Sequence, residues 1–493
     1  MSSPNTLKVL AIGLDAAEPA LIQKLIDKGS MPGLASLLEE GQSLQLKAPA
    51  YIGSGSVWPT FVTGTPPTNH GLYSEWIWRP EKMALERYHG RDLVPFWKQL
   101  DQQGIPVGVL DVPFVTPVGL TKGFEVCEWW AHDIILDSAQ WSPQHIEAIL
   151  KETPPHPLSF KRQNSVKPDD ADALRQLTAE ATEGIRARGL LAQRLIDKTH
   201  PALALIIFPE THHAGHQMWH TAEPGQAAYL DQGLFADEPL LESVYREVDR
   251  QIANLVAAAG SETTVIVFAL HGMRAGYGAP GFLMELLCDR GISRLRDWSS
   301  QSWSDRARSI LAITKQRAPT GIKSLYYKLA PPSTLQRVAQ PTMLPVYDWK
   351  NTRAFSLPTD QFGWIRINLE GREAGGSVPL DRYEETLDEL ESMLVELKDQ
   401  KGSPLVHQLL RTVGNKDEAL QHKIPDLVVH WHDAAFAPGL RIADTHVEAE
   451  PVGIRTGQHA LDGFCLIKGN VEMNGRTSIL AEEMGSWIGG MLS

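Results

Sequence analysis

The chain has little cysteine, and the few cysteines it has are scattered. Its 493 residues include three cysteines, Cys127, Cys288 and Cys465. An odd number at such wide spacing argues against the disulfide framework of small secreted domains and favours a reducing compartment. The first residues lead into an apolar run without the charged and apolar regions of a secretory signal peptide. We therefore predict a cytoplasmic protein.

Positive charge and long apolar runs are also scarce. The formal net charge is −13, and the sequence contains no stretch of clustered basic residues. Both features argue against a nucleic-acid-binding protein. No run of about 18 apolar residues occurs, so no membrane span is predicted. An anionic substrate remains compatible with this charge, because a buried metal ion can dominate the local field. The predicted partner is a small-molecule substrate, and the sequence makes no prediction about the oligomeric state.

Apolar runs of strand length alternate with helical patterns along most of the chain. This alternation predicts an α/β fold with a mostly parallel sheet and helices on both faces. The predicted strands are 9–14, 107–112, 202–208, 264–270, 425–431 and 464–467, and the predicted helices are 18–27, 32–40, 95–103, 171–198, 240–259 and 383–398.

Residues 273–345 differ from the rest in being rich in Arg, Ser, Trp and Tyr. We predict that they form a helical cap inserted over the ligand-binding edge of the sheet, within a single domain of residues 1–493. A peripheral helical decoration without a role is the alternative.

Polar residues suited to metal or phosphate chemistry stand where several predicted strands end. Asp15 follows the first strand, His212 and His216 follow the strand 202–208, and His271 follows the strand 264–270. Ligands bind at the carboxyl ends of the strands in open α/β sheets, so these positions predict one polar site. Each residue also has a structural alternative: a helix cap for Asp15, adventitious metal binding for the histidine pair, and a structural histidine for His271.

Ser54 and His459 complete the set of candidate residues. Ser54 lies between Gly53 and Gly55, where small neighbours allow a ligand to approach the backbone closely, although a helix-capping serine is the commoner case. His459 precedes the strand 464–467. On a helix, histidines four residues apart share one face and can bind one metal ion, which is the spacing of His212 and His216.

Taken together, these segments resemble the alkaline phosphatase superfamily, and within it the type I phosphodiesterase/nucleotide pyrophosphatase branch with its predicted phosphohydrolase and phosphomutase relatives. The resemblance implies an alkaline-phosphatase-like three-layer sandwich and a metal-dependent hydrolase. The segments that carry it are Ile-Gly-Leu-Asp at 12–15, the stretch 58–71, the strand 107–113, Arg-Ile-Asn-Leu-Glu-Gly-Arg at 366–372, and Pro-Asp-Leu-Val-Val at 425–429.

The resemblance also assigns roles to individual residues. It implies that Ser54 is the nucleophile and that Asp15 and His271 bind the metal ion that activates it. His216 and His459 match ligands of a second metal ion. The chain departs from the family at two positions, since the Asp of Asp-x-x-x-His is His212 and the Asp of Ser-Asp-His-Gly is Leu270.

These departures predict an unusual metal content. With Asp15 as the remaining carboxylate, two divalent ions would leave uncompensated positive charge in a buried place, which is costly. Three neutral imidazoles, His212, His216 and His459, can bind one Zn²⁺ and leave a position open. We therefore predict one tightly held divalent ion, with Zn favoured and Mn or Fe as alternatives. Asp15 and His271 would then form a weak second site or act as acid–base groups.

Three functions are compatible with this pattern. The first is hydrolysis of a phosphoester, either a diester or a phospho-metabolite, by Ser54 or by water. The second is a mononuclear, histidine-rich metalloenzyme acting on an acyl, carbamoyl or sulfuryl bond or using iron chemistry. The third is a non-catalytic relative that binds a ligand through the inherited pocket.

Overall fold

The computed structural model describes most of the chain. The described residues are 7–88, 93–130, 139–158, 166–223, 239–276, 280–297, 344–359, 361–437, 439–449, 455–469, 471 and 475–492. They form two compact units, the first from 1–70, 89–276 and 454–493, and the second from 71–88 and 277–453. Each unit is described by itself below, and the single domain of 1–493 stays a prediction.

The first unit is built on a nine-stranded, mostly parallel sheet, as predicted. Its strands in spatial order are β19 (Ser478–Leu480), β2 (Gln42–Lys47), β18 (Asp462–Lys468), β9 (Thr264–Ala269), β1 (Val9–Leu14), β8 (Leu203–Phe208), β5 (Val107–Leu110), β6 (Gly123–Cys127) and β7 (Gln140–Ser142). A short antiparallel pair, β10 (Met273–Ala275) and β17 (Gly457–His459), completes its strands within the described residues.

Helices cover both faces of this sheet and make the predicted three-layer sandwich. The helices of the first unit are α1 (Pro19–Asp27), α2 (Pro32–Glu40), α3 (Val57–Thr63), α4 (Pro67–His70), α5 (Phe96–Gln102), α6 (Glu147–Glu152), α7 (Ala171–Thr199), α8 (Glu210–Ala222), α9 (Leu240–Ala259) and α13 (Ala481–Gly490).

The two faces of β1 pack against different helices because successive side chains of a strand point to opposite sides. Leu10 and Ile12 are fully buried in the core that includes α7, α8 and α9. On the other face, a Cβ at Gly13 would lie 3.2 Å from the Trp58 ring of α3. Phe61 of the same helix packs against Phe268 of β9, with the two ring centroids 5.2 Å apart. The central strands are therefore buried on both faces, as their continuous apolar sequences indicate.

The second unit contains a separate four-stranded antiparallel sheet that the sequence did not predict. Its order is β11 (Ala354–Leu357), β12 (Gly363–Ile367), β14 (Leu427–Trp431) and β13 (Val406–Arg411). The predicted strand 425–431 therefore exists, but it pairs antiparallel with its neighbours and lies outside the parallel sheet.

Smaller elements complete the second unit. They are β3 (Trp76–Arg79), β4 (Ala84–Arg87), β15 (Leu440–Arg441), β16 (Glu448–Ala449), α10 (Leu283–Asp289), α11 (Tyr383–Val395) and α12 (Lys416–Ala419). The helix α11 packs its buried Tyr383, Leu387, Leu390 and Leu394 into the core of this unit.

Several other expectations can be compared with the described residues. The predicted cap 273–345 begins with β10 and includes α10, but residues 298–343 lie outside the described part, so the cap stays a prediction. The three cysteines are free, in agreement with the sequence. Within the described residues, no helix combines the length and apolar character that crossing a membrane requires.

Candidate metal centre

The candidate site lies in the first unit, at the carboxyl ends of three adjacent parallel strands. The central strand β1 pairs with β8 on one side and with β9 on the other. Asp15 directly follows β1, α8 begins two residues after β8, and Leu270 and His271 follow β9. This is the edge at which open α/β sheets bind ligands.

Asp15 is buried, and both oxygens of its carboxylate have partners in the protein. Trp58 donates its indole N–H to Oδ1 at 2.8 Å, and His212 Nδ1 lies 2.8 Å from Oδ2. The helix-cap alternative does not apply, because Glu18 is the N-cap of α1 and accepts a hydrogen bond from Ala20 N. The structure therefore places Asp15 beside the histidines, as the hydrogen-bonding partner of His212.

Three histidines from two distant segments come together next to Asp15. The helix α8 carries His212 and His216 on one face, and β17 contributes His459. Their ring centroids lie 4.7 to 4.9 Å apart, and His212 Nε2 is 2.9 Å from Nε2 of each of the other two rings. All three side chains are buried, and one ligand atom from each lies within 4.8 Å of the others.

The hydrogen bonds around these rings determine which nitrogens carry lone pairs. An ionised Asp15 only accepts, so His212 donates through Nδ1–H, and in the neutral ring the lone pair is then on Nε2. His216 Nδ1 lies 2.8 Å from the Gly457 carbonyl oxygen, which also only accepts, so the lone pair of its neutral ring is on Nε2 too. With both rings neutral, two lone pairs face each other at 2.9 Å, and either a shared proton or a bound metal ion relieves their repulsion.

The three imidazoles are suitable ligands for a divalent metal ion, and the distances between their nitrogens are close to those around such an ion. Nitrogens bound to one tetrahedral Zn²⁺ at ~2.0–2.1 Å lie roughly 3.3 Å apart, so the 2.9 Å spacing would widen by a few tenths of an ångström. The bonds from Nδ1 to Asp15 and Gly457 resemble the outer contacts that orient metal-binding histidines in general.

The surroundings of His216 favour the neutral imidazole that metal binding needs. Burial lowers its pKa well below the ordinary value, and the neighbouring Arg455, His459 and His212 lower it further. The hydrogen bond with the Gly457 carbonyl acts in the opposite direction but does not reverse the shift. A neutral His216 keeps the Nε2 lone pair available at neutral pH.

The segment 455–459 is attached closely to α8, which brings His459 into the cluster. Thr456 N–H donates to the His216 carbonyl at 2.9 Å, and His459 pairs with Met273 in the β10–β17 ladder. A Cβ at Gly457 would lie 2.1 Å from the Gly215 carbonyl oxygen. Only glycine allows this approach of β17 to α8, so the third histidine depends on Gly457.

Comparison with known protein families agrees with this architecture. Residues 9–441 match the family described as type I phosphodiesterase / nucleotide pyrophosphatase. The chain belongs to this family. Membership confirms the predicted place in the alkaline phosphatase superfamily and makes the chain a metal-dependent hydrolase of the phosphodiesterase and phosphatase type. A search of curated proteins found no match to the sequence.

Solved structures share the fold of this family member at low sequence identity. Phosphonoacetate hydrolase from Sinorhizobium meliloti 1021, in complex with phosphonoformate, aligns with a TM-score of 0.52 and 12% identity over 99% of this chain and 96% of that protein. Alkaline phosphatase PafA aligns with a TM-score of 0.51 and 11% identity over 100% and 96% of the two chains. At such identity these similarities establish the fold alone.

The remaining predicted ligand of the phosphodiesterase family, His271, lies next to the triad. Its ring centroid is 4.8 Å from that of His459 and 6.4 Å from that of His212. Its Nδ1 lies 3.1 Å from the Gly272 carbonyl oxygen. A second metal site formed by Asp15 and His271 stays a prediction, since the Asp15 oxygens are already hydrogen-bonded to Trp58 and His212.

Sequence reasoning missed the carboxylate that lies beside the loop after β9. Leu270, where the family has Asp, is buried. Glu18 approaches the same loop from α1, and its Oε2 accepts a hydrogen bond from Met273 N at 3.1 Å. A Cβ on Gly272 would lie 2.2 Å from this oxygen. The sequence feature that could have identified this carboxylate is the position of Glu18, three residues after Asp15 at the start of a helix.

Ser54, the predicted nucleophile, lies in a 3-10 turn directly before α3. The turn spans Ser54–Ser56, and α3 follows with Ser56 as its N-cap residue. Ser56 is buried, and its hydroxyl lies within hydrogen-bonding distance of the Pro49 and Gly53 carbonyls. Ser54 is partly exposed and precedes Trp58 by one helical turn. Its catalytic role stays a prediction, while Trp58 ties this helix to Asp15.

Proposed function

We propose that this phosphodiesterase-family chain hydrolyses a phosphoester at a centre that holds one divalent metal ion on His212, His216 and His459. The observation that carries the proposal is the buried cluster of three imidazoles, in which Nε2 of His212 lies 2.9 Å from Nε2 of both His216 and His459. A metal ion bound to these nitrogens would use the lone pairs that neutral imidazoles at this distance direct towards each other.

A single ion is supported by the small number of carboxylates at the centre. Among the described residues, Asp15 is the carboxylate hydrogen-bonded to the triad, and both of its oxygens are engaged by neighbours. Leu270 adds an apolar side chain where the family has a second acid. One divalent ion therefore leaves a smaller buried positive charge than two ions would.

Zn²⁺ suits three imidazoles and an open position, with Mn or Fe as alternatives. When bound, the ion would polarise a phosphoryl oxygen and neutralise charge that develops during the reaction. The chain's own residues have separate tasks. Asp15 fixes the tautomer of His212. Ser54 either attacks the phosphorus in line and displaces the ester oxygen, giving a phosphoserine that water then hydrolyses, or positions a water molecule that displaces the ester oxygen directly. His271 is the neighbouring group suited to move a proton.

A panel of phosphoesters tests this function with wild-type protein and the variants Ser54→Ala and His212→Gln. We expect hydrolysis that is lost after chelation and in His212→Gln. The matched control is His213→Gln, because His213 neighbours His212 on α8 but packs on Trp130. The absence of any metal-dependent phosphoester hydrolysis in the wild type would overturn the proposal. Full activity in Ser54→Ala would assign the attack to water.

A further inference from the structure

A buried arginine joins two carboxylates at the start of α8, the helix that carries His212. Arg188 of α7 donates from Nε to Glu210 Oε1 at 2.8 Å and from Nη1 to Asp111 Oδ2 at 2.5 Å. Glu210 is the first residue of α8, and Asp111 directly follows β5, the neighbour of β8. Because Glu210 precedes His212 by two positions, the two side chains leave the helix on opposite sides.

The three charged side chains of this Arg188 cluster are buried and incompletely paired. Arg188 is fully buried, and Glu210 and Asp111 are 1% and 5% exposed. Within the part of the chain that the structure describes, Glu210 Oε2 and Arg188 Nη2 have no hydrogen-bond partner. A buried carboxylate oxygen without a partner is costly, so local pairing does not account for the charge of Glu210.

Both carboxylates have the surroundings of ionised groups. Glu210 accepts from the Arg188 guanidinium. Asp111 accepts from Trp129 N at 2.8 Å and from Trp130 N at 3.2 Å in addition to Arg188. Burial raises the pKa of Asp111, while Arg188 and the two backbone N–H groups act in the opposite direction. A proton on Asp111 would meet only donors, so its hydrogen bonds favour the carboxylate.

His156, the other titratable side chain next to Glu210, adds no positive charge. Its Nδ1 accepts from Leu158 N at 3.1 Å, so the neutral ring carries its proton on Nε2, which lies 3.3 Å from Glu210 Oε1. Burial lowers the pKa of His156 and outweighs the opposing effect of Glu210. Two carboxylates and one guanidinium therefore leave one negative charge in a buried place.

A metal ion on the three histidines would supply the opposite charge on the other side of α8. Side chains on opposite sides of one helix lie roughly 10 Å apart, and α8 is buried along almost its whole length. With little water between them, a divalent ion and a unit negative charge attract each other appreciably at that distance. The centre itself has few acids, since Leu270 and His212 stand where the family has Asp.

We propose that the excess negative charge of the Arg188 cluster compensates the charge of the metal ion on His212, His216 and His459, in place of the family's missing carboxylates. This role of Glu210 rests on the proposed function and adds to it a reason why the site selects a divalent ion. The attraction is proportional to the charge of the ion, so at the same three imidazoles it favours a divalent over a monovalent ion.

The test compares the affinities for Zn²⁺ and, without oxygen, for Cu⁺ at pH 8 by competition with chromophoric chelators. Glu210→Gln keeps the size of the side chain and an acceptor for Arg188 but removes the charge. We expect Zn²⁺ binding to weaken by about 10-fold and Cu⁺ binding by about 3-fold, because half the charge gives half the energy. The matched control, Glu247→Gln, removes a buried charge that pairs with Arg186 of α7 and with Arg250, and should change neither affinity.

Two results would overturn this role of the Arg188 cluster. One is an unchanged Zn²⁺ affinity in Glu210→Gln. The other is an equal loss for both ions, since a displaced or less stable α8 would affect Zn²⁺ and Cu⁺ alike. If circular dichroism shows that Glu210→Gln does not fold, Asp111→Asn removes a charge from the same cluster and should give the larger loss for Zn²⁺. Wild-type protein that binds neither ion, or His212→Gln that binds both as tightly as the wild type, would contradict the proposed metal site itself.

Discussion

Two buried polar clusters, one in each unit, differ in how fully their groups are paired. In the second unit, Arg372 makes a bidentate ion pair with Asp426 at 2.7 Å, and Arg366 pairs with Glu373 at 2.8 Å. In the first unit, His212 and His216 direct their Nε2 atoms at each other at 2.9 Å. Both clusters are buried, so the contrast separates a network that stabilises the fold from a cluster suited to an added ion.

The second-unit network also explains two of the motifs that suggested the family. Asp426 accepts further hydrogen bonds from Tyr383 OH at 2.7 Å and from Ile367 N at 2.8 Å. The runs 366–372 and 425–429 therefore meet in one saturated network that links β12, β14 and α11. Two arginines and two carboxylates balance in charge, which is the condition under which a buried ion pair is tolerated.

Breaking the saturated network should have the largest effect on stability. Asp426→Asn would leave Arg372 without a full opposite charge and lower the free energy of unfolding by about 3–5 kcal/mol. Urea denaturation followed by circular dichroism measures this. The control is Arg411→Gln, since Arg411 pairs with Glu391 and Asp388 at the surface, where ~0–1 kcal/mol is usual. Equal losses in both variants would contradict the comparison.

The same network predicts a loss of stability in acid. Burial raises the pKa of Asp426, but Arg372 outweighs burial and holds the pKa below its ordinary value. A carboxyl group with a lowered folded-state pKa contributes stability above the unfolded-state pKa of about 3.9, and this contribution is lost as the pH falls further. Denaturation midpoints between pH 6 and 2 should fall more steeply for the wild type than for Asp426→Asn.

Metal binding at the histidine cluster should stabilise the wild-type protein more than it stabilises a variant that lacks one of the three histidines. At a free Zn²⁺ concentration 100 times the dissociation constant, the wild type should gain about 2.7 kcal/mol of stability. His212→Gln should gain much less, and His213→Gln should behave as the wild type. Thermal unfolding with and without a chelator measures these gains. An equal gain in His212→Gln would show that the ion binds elsewhere.

The contacts of Asp15 allow a finer test of the same cluster. Asp15→Asn should weaken metal binding by about 10- to 100-fold, the usual effect of losing an outer partner of a ligating histidine. Trp58→Phe removes the hydrogen bond to the other Asp15 oxygen and should have a smaller effect in the same direction. Competition with a chromophoric chelator gives both affinities. A larger loss in Trp58→Phe than in Asp15→Asn would contradict this order.

His220 should give the smallest effect, visible only as a pH dependence. Burial lowers the pKa of His220 to about 4. Above about pH 6.5 His220 is neutral in the folded and in the unfolded chain. As the pH falls from 6.5 towards 4, only the unfolded chain takes up the proton, so the free energy of unfolding decreases. His220→Gln should flatten this part of the stability profile of chelator-treated protein, whereas His145→Gln, at an exposed position, should leave it unchanged. Identical pH profiles of stability for the wild type, His220→Gln and His145→Gln would refute this role of His220.

Much of the first unit could be predicted from the sequence because its strands are short, continuous apolar runs. The strand Val9–Leu14 and the helices Pro32–Glu40 and Leu240–Ala259 have the predicted bounds. The strand around 427–431 has the same kind of sequence but pairs antiparallel in another sheet. Periodicity indicates that a strand is buried, whereas its partners depend on segments far away in the chain, which a local pattern does not contain.

The site shows the same division between local and distant information. The positions of Asp15, His212, His216 and His271 follow from where strands end, so their proximity could be predicted. The hydrogen bond from Trp58 to Asp15 could not, because Trp58 lies on α3, which the strand ends do not place beside Asp15. Arg455 and Glu18 were missed since neither stands directly after a predicted strand.

The number of metal ions per chain is the most direct test of the contrast between the two clusters. Elemental analysis of untagged protein, dialysed against buffer with a weak chelator, should find one equivalent of a divalent metal in the wild type and in Asp426→Asn that remains folded. His212→Gln should retain much less than one equivalent. Two tightly held equivalents in the wild type, or one equivalent retained by His212→Gln, would contradict the account.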